Sequence, residues 1–414
     1  MIRSEQWNNR IKAAALGIGL ALTALTIRHW YGTFMYGYPP CNDCRSDFPG
    51  FYAAARLVWE KPSALYDYAP QLAIQKAIDN RIGDSILPFA YPPITALVLM
   101  PLGWLSFRAA FVGMTLVNIS LLLLILRLLV KKLELGRDQT AWLSLTAFCS
   151  FGVHSVLLQG QTSLLVFFCL TAFMISARDK KEVTAGLSAG LNFIKPQLLA
   201  VPFVVLAFQR FWRGLIIAGL VVTGLALLSA VLVGTRGIGE YIGLLKFYST
   251  TPSGFGSYPE KMHNLRALVQ YWVPFHVALY VWLALVVVIG LLTVWMNTLR
   301  NQDAQASAVL WIGNFLAMML ITPHLYSHDL VLLLIPSALV LKLAGSSIPW
   351  FVSAALISLS VLPILPLVLD DGVPSPLPIF LLSGYCICVY LMRNFSQSAG
   401  SERVSLHPSS FEAE

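Results

Sequence analysis

Asp47 stands immediately before Phe48-Pro49-Gly50-Phe51-Tyr52-Ala53-Ala54-Ala55, and a carboxylate in that position can do two things. As an N-cap it accepts hydrogen bonds from the free N–H groups of a helix's first turn, a role that a proline in that turn supports. As a general base it takes a proton from a bound hydroxyl, held in place by the short helix it precedes. The residues alone leave both open.

Four further stretches carry groups able to act on a substrate. Phe89-Ala90-Tyr91-Pro92-Pro93 opens an apolar run, and Gly160-Gln161 sits where one apolar run ends and the next begins; each also reads as a plain helix boundary. Ile194-Lys195-Pro196-Gln197 puts a lysine inside an apolar segment, where it either snorkels its ammonium to the membrane surface or meets a buried partner such as a lipid phosphate at a helix break. Thr322-Pro323-His324-Leu325-Tyr326-Ser327-His328-Asp329 gathers two histidines, a tyrosine and a carboxylate in one short loop. Its HxxxH spacing would put two ligands on one helix face, but no matching third ligand motif accompanies it, so the expectation is no metal and hydrogen bonding to a phosphate or sugar instead. Arg266 lies in a polar stretch with Tyr241, Tyr258, His263 and Asn264. Cys41-Asn42-Asp43-Cys44 lacks a thioredoxin-type context and reads as structural, either a local disulfide or two thiols.

These groups need elements to hold them, and the composition names the solvent. The 414 residues are 57% hydrophobic and 12% charged, with a mean hydropathy of +0.71. That is too little polar surface for a water-soluble globule of this size. The apolar residues fall in long runs apolar on every face, as at 121–130 and 281–292, which excludes the alternating strands of a membrane barrel. The expected fold is all-α, a polytopic transmembrane helical bundle of about twelve spans. The runs lie near 13–34, 89–106, 108–130, 140–158, 162–177, 183–209, 213–233, 277–299, 305–322, 327–343, 348–369 and 377–393. The segment 183–209 is long for one span and reads equally as two short helices meeting at Lys195.

The net charge of +8 comes from basic residues set singly or in small groups at the ends of apolar runs, which marks topology and not nucleic-acid binding. Arg3, Arg10 and Lys12 before the first run place its N-terminal end in the cytoplasm. The polar stretch 37–88 is then a first outer loop carrying interfacial helices near 48–59 and 69–78, and 234–276 a second outer loop. Residues 1–393 form one transmembrane domain, and 394–414, rich in Ser and Glu, a disordered cytoplasmic tail.

Taken in order, Asp47 with Phe51-Tyr52-Ala53-Ala54, Leu65-Tyr66-Asp67, Tyr91-Pro92-Pro93, Gly160-Gln161, Lys195-Pro196, Thr322-Pro323, Tyr326 and His328-Asp329 resemble glycosyltransferase family 87, membrane enzymes of the GT-C superfamily. The resemblance spans about residues 40 to 345. Thr162 after Gly160-Gln161, and Tyr326 where the family often has Trp, depart from its pattern and bear on sugar specificity. The resemblance implies transfer of a sugar, a hexose such as mannose, from a polyprenyl-phosphate donor to a glycolipid or glycan acceptor. The site would lie on the extracytoplasmic side of the plasma (inner) membrane, among membrane lipids and with no cofactor. Asp47 matches the base of the first outer loop. Lys195, His328, His324, Arg266, Gln161 and Tyr91 are expected to bind the donor's phosphate and sugar. A lone base implies direct displacement and inversion at the anomeric carbon. The rival reading is a transporter or lipid flippase, which would show repeated halves and midplane polar sites; here the halves differ.

Overall fold

A computed structural model of the chain describes residues 2–36, 46–78, 86–250, 261–299, 303–364 and 374–405. Cys41, Cys44, Asp79, Asp84 and Tyr258 lie outside those residues. Among the described residues every regular element is helical, as expected for a chain whose backbone groups must be satisfied within each segment when lipid is the solvent.

Among the described residues seven helices are long and apolar enough to cross a membrane: within Glu5–Met35, Phe107–Lys132, Trp212–Tyr248, Phe275–Thr298, Ala304–Ile321, Ser327–Ala344 and Leu377–Gln397. An eighth crossing results if the pair Arg137–Phe148 and Phe151–Gln159, bent by 48°, counts as one. The other apolar runs give shorter helices, Pro93–Gly103, Ser163–Arg178, Pro196–Phe208 and Trp350–Ile364. Length and composition among the described residues thus account for seven or eight of the roughly twelve expected spans. Hydropathy averages over a run and does not see a break inside it. The first helix, α1 (Ile2–Tyr36), has 35 residues, about 52 Å at 1.5 Å per residue. By the same rise, the 11 residues of Pro93–Gly103 reach only about 16 Å.

The first polar stretch forms its expected helices, α2 (Phe48–Glu60) and α3 (Tyr68–Ile78). Nearly the whole circumference of α2 is buried within the protein, so other helices cover the face that its apolar residues present. Its run of Ala53, Ala54 and Ala55 lets the backbone at Gly103, the end of α4 (Pro93–Gly103), come into contact with Ala55. Phe48 packs against Phe107 and Phe111 at the start of α5 (Phe107–Lys132), with ring centroids 5.5 and 5.2 Å apart.

Next come α6 (Arg137–Phe148), α7 (Phe151–Gln159), α8 (Ser163–Arg178), α9 (Glu182–Leu191) and α10 (Ala200–Phe208). The run 183–209 resolves into the second of its two readings: α9 and α10 are separated by two 3-10 turns, Asn192–Ile194 and Pro196–Leu198, that meet at Lys195. Beyond them, α11 (Trp212–Thr250) kinks at Gly234 (φ 71°, ψ 178°) and carries helix well into the expected second loop. That loop also holds α12 (Leu265–Trp272). After α13 (Phe275–Thr298) and α14 (Ala304–Ile321), a 3-10 segment, Ser327–Leu333, leads into α15 (Leu334–Ala344). Last are α16 (Trp350–Val361) and α17 (Leu377–Ser405), the latter continuing past Asn394, where an unstructured tail was expected to begin.

The main core centres on α14 and α15, both largely buried, and a second cluster of buried side chains joins α2, α4 and α5. The turn carrying Asp329 is fixed to α7 by a close approach at Gly152. A Cβ there would meet Val331 N at 2.6 Å and Leu330 C at 2.7 Å. These are backbone atoms, which cannot swing away. Gly152→Val should therefore destabilise the fold by about 1–3 kcal/mol, as overpacking does. A lowered thermal midpoint in detergent checks this; an unchanged midpoint would mean the two backbones are not in contact.

Candidate functional site

Asp47 occupies the N-cap position of α2, but its side chain makes no cap hydrogen bond. The first-turn N–H groups of Gly50 and Phe51 instead donate to its backbone oxygen, at 3.0 and 3.3 Å. The carboxylate is thus released from the bland role and turns to Gln161, whose Nε2 donates to Asp47 Oδ2. Gln161 follows Gly160, the left-handed C-cap of α7 (φ 60°, ψ 39°), against which the Phe48 ring is packed so closely that a Cβ would meet it at 2.8 Å. One turn therefore delivers Gln161 and seats the residue next to Asp47.

Tyr91 is brought in by α3. Gln71 and Gln75, one turn apart on its buried face, use their amides as backbone partners for the extended chain before Tyr91. Gln75 bonds both the N–H and the C=O of Leu87 at 3.0 Å, and Gln71 Oε1 accepts from Phe89 N at 3.2 Å. Tyr66 Oη donates to Tyr91 O at 2.7 Å. The Tyr91 hydroxyl then donates to Gln161 Oε1 at 3.0 Å.

Lys195 sits at the break between the two 3-10 turns and is 1% exposed, so it does not snorkel. Its ammonium donates to Asp329 Oδ1 at 2.5 Å and to Ser163 Oγ, the first residue of α8, at 2.8 Å. Ser163 Oγ in turn donates to Asp329 Oδ1 at 2.8 Å. Two of the three ammonium N–H groups are so engaged, and the charge also lies 5.5 Å from the centre of the Tyr91 ring. A buried ammonium in an apolar segment needs such a partner. From sequence Asp329 stood out only as the carboxylate beside His328 and Ser163 not at all, and no local pattern ties Lys195 to a residue 134 positions away.

His324 and His328 do not share a helix face. His324 lies in the irregular stretch before the 3-10 segment and His328 within it, because Pro323 and the extended backbone at Tyr326 interrupt any α-helix there. The HxxxH spacing consequently does not bring two ligands together in the way a helix would. His328 Nδ1 donates to Gln159 Oε1 at 2.8 Å, and its Nε2 stands 3.6 Å from Asp329 Oδ2. Nearby, His263 bonds Ser375 and Ser327 through its two ring nitrogens, at 2.7 and 3.0 Å, and so ties the approach to α12 to this loop. The Arg266 guanidinium lies 6.0 Å from the centre of the Trp282 ring.

Asp47, Tyr91, Gln161, Lys195, Arg266, His324 and His328 all line one cavity of about 520 Å³, together with Asp329, Trp282, and Tyr241, Leu245 and Tyr248 from the far half of α11. Burial pushes the Asp47 carboxyl up to about 6 from its ordinary 3.8; the Gln161 hydrogen bond and the Lys195 charge pull the other way, and the Asp329 charge adds to the rise. His324 is lowered to about 4, by burial and then by Arg266, against a small opposing pull from Asp329, so it is a neutral donor and acceptor at pH 7. Burial likewise lowers His263 to about 4. The cavity offers a carboxylate able to take a proton near neutrality, two basic side chains and a mixed aromatic and aliphatic wall.

Fold and cavity together define a polytopic membrane protein with a proton-accepting, cation-lined pocket among its helices. The model of glycosyltransferase family 87 matches residues 89–323, more than half of the chain. The chain belongs to that family and is a membrane glycosyltransferase, which sets the transporter reading aside. The matched stretch includes Tyr91, Gln161, Lys195 and Arg266 and stops short of Asp47, His324 and His328, which join them through the fold. No individually curated protein matches the chain.

Proposed function

We propose that the protein transfers a hexose such as mannose from a polyprenyl-phosphate donor to a lipid-linked or glycan acceptor. In this reading it does so on the extracytoplasmic side of the plasma (inner) membrane, with Asp47 as general base. The supporting observation is the Asp47 carboxylate, freed from helix capping, oriented by Gln161 and set in one cavity with Lys195 and Arg266. The acceptor oxygen attacks the anomeric carbon as its proton passes to Asp47. The bond from that carbon to the donor phosphate breaks, and the electron pair leaves on the phosphate oxygen. Arg266 and the Lys195 ammonium stabilise the charge gained there, the latter tempered by its pairing with Asp329. The wall formed by Leu245, Leu279 and Trp282 suits an isoprenoid chain.

A single base beside the acceptor gives one displacement, so the product should carry the anomeric configuration opposite to the donor's. Purified protein in nanodiscs, supplied with polyprenyl-phosphate mannose and a glycolipid acceptor, should yield such a product by NMR. Retention of configuration would refute the single displacement. Transfer from nucleotide sugars but from no polyprenyl-phosphate sugar would refute the donor.

A further inference from the structure

Tyr91, Gln161 and Asp47 form a chain of hydrogen bonds whose direction is set by chemistry. An ionised carboxylate only accepts, so Gln161 must turn its Nε2 to Asp47 Oδ2. Its Oε1 then faces Tyr91, whose hydroxyl must donate, at 3.0 Å. A flipped amide would set its oxygen against the carboxylate and its nitrogen against the hydroxyl.

The middle of this chain and its Tyr91 end are both held in place. Gln161 is 2% exposed. Its backbone oxygen accepts from Asn118 Nδ2 at 3.0 Å, and its backbone N–H donates to Val156 O at 3.1 Å. The Tyr91 ring packs against Phe51 and Phe89 at 5.0 and 5.7 Å between centroids. Among the described residues no hydrogen bond engages Asp47 Oδ1.

We infer that Tyr91 and Gln161 are positioning residues. Through the fixed amide they set the basicity of Asp47 and hold Oδ2, so that Oδ1 is the oxygen that takes the acceptor's proton. This rests on Asp47 being the base. The charges that act on Asp47 are Lys195 and Asp329, with opposite sign; Arg266, His324 and His328 line the same cavity.

The test is the pH profile of kcat/KM for polyprenyl-phosphate sugar transfer in three variants. Tyr91→Phe keeps the ring and its packing but frees the amide to flip, and should move the acidic limb up by about one pH unit, the scale of one hydrogen bond to a charged form. Gln161→Glu keeps the side chain's shape but puts a second carboxyl beside Asp47. The two would share a proton, moving the limb up by about two units. A purely structural role would lower activity at every pH and leave the limb in place; that outcome in both variants overturns the inference. Asp47→Asn separates the two levels. If it retains full activity, the base assignment fails; if it is inactive while the limbs of the other two are unmoved, only the positioning role fails.

Discussion

Asp47→Asn should lower kcat for sugar transfer by about 10²–10⁴-fold, the contribution typical of a positioned general base, while the protein stays folded. Asparagine keeps the shape of the side chain, and the helix start does not depend on the carboxylate, because the first turn of α2 is satisfied by the backbone oxygen of residue 47. Donor affinity should change little, since the proton is taken from the acceptor. The same residue fixes the pH response. Burial raises its carboxyl to about 6, and only the ionised form accepts a proton, so kcat/KM should fall as pH drops through about 6. The sign for stability is the reverse. A carboxyl raised in the folded state favours folding below its unfolded value of 3.8, and that contribution is lost as pH rises through about 6. Activity thus appears over the pH window in which this group's contribution to stability disappears. An activity profile flat from pH 5 to 8, with the chemical step rate-limiting, would contradict the assignment.

The second large effect belongs to the ion pair of Lys195 and Asp329, with side chains 1% and 6% exposed. Removing one partner of a buried pair costs about 3–5 kcal/mol because the other charge is stranded, whereas replacing both by apolar residues is often neutral. Asp329→Asn should therefore sharply lower the thermal midpoint in detergent and the yield of monodisperse protein. The double variant Lys195→Met with Asp329→Leu should recover most of that loss. Transfer activity should not return with it, because the double variant lacks the ammonium beside Tyr91 to which the proposed mechanism gives the leaving group's charge. A double variant as unstable as the single one would show that the pair is not coupled. A double variant with full activity would show that Lys195 serves only the fold.

Much of this site was legible in the sequence, for identifiable reasons. A lysine and proline inside an apolar run violate the rule for a lipid-solvated helix, so a break at Lys195 was one of the two readings of 183–209, and the two 3-10 turns between α9 and α10 do meet there. Tyr91 and Gln161 stood out because each sits where an apolar run starts or stops, and Asp47 because it directly precedes a helix in the first polar loop; such boundaries are where a helical bundle can present polar groups to one cavity. What could not be read was pairing. Asp329 was visible as a carboxylate beside His328, but nothing local links it to Lys195, and Ser163 looks like any first residue of a helix. The shorter and bent helices among the expected spans were illegible for a related reason. Apolar runs such as 89–106 and 140–158 owe their hydropathy to packing against other protein as much as to lipid, so a short or bent helix reads like a full span. The helical content of the polar stretch 234–276 was not legible from composition: α11 continues past Gly234, and α12 follows within the same stretch.

The sequence separation of Lys195 and Asp329 bears on how the protein is made. The lysine leaves the ribosome 134 residues before its carboxylate, a delay on the order of ten seconds at usual elongation rates. Throughout that interval the growing chain holds an unneutralised ammonium within an apolar stretch, at about 2.5–3.5 kcal/mol on insertion scales. Ser163 is already present but brings no charge. A nascent chain that ends before residue 329 therefore lacks the carboxylate that pairs with Lys195 in the folded protein. Synthesis of the 3-10 segment before α15 supplies that partner, after every helix from α1 to α14 has been made.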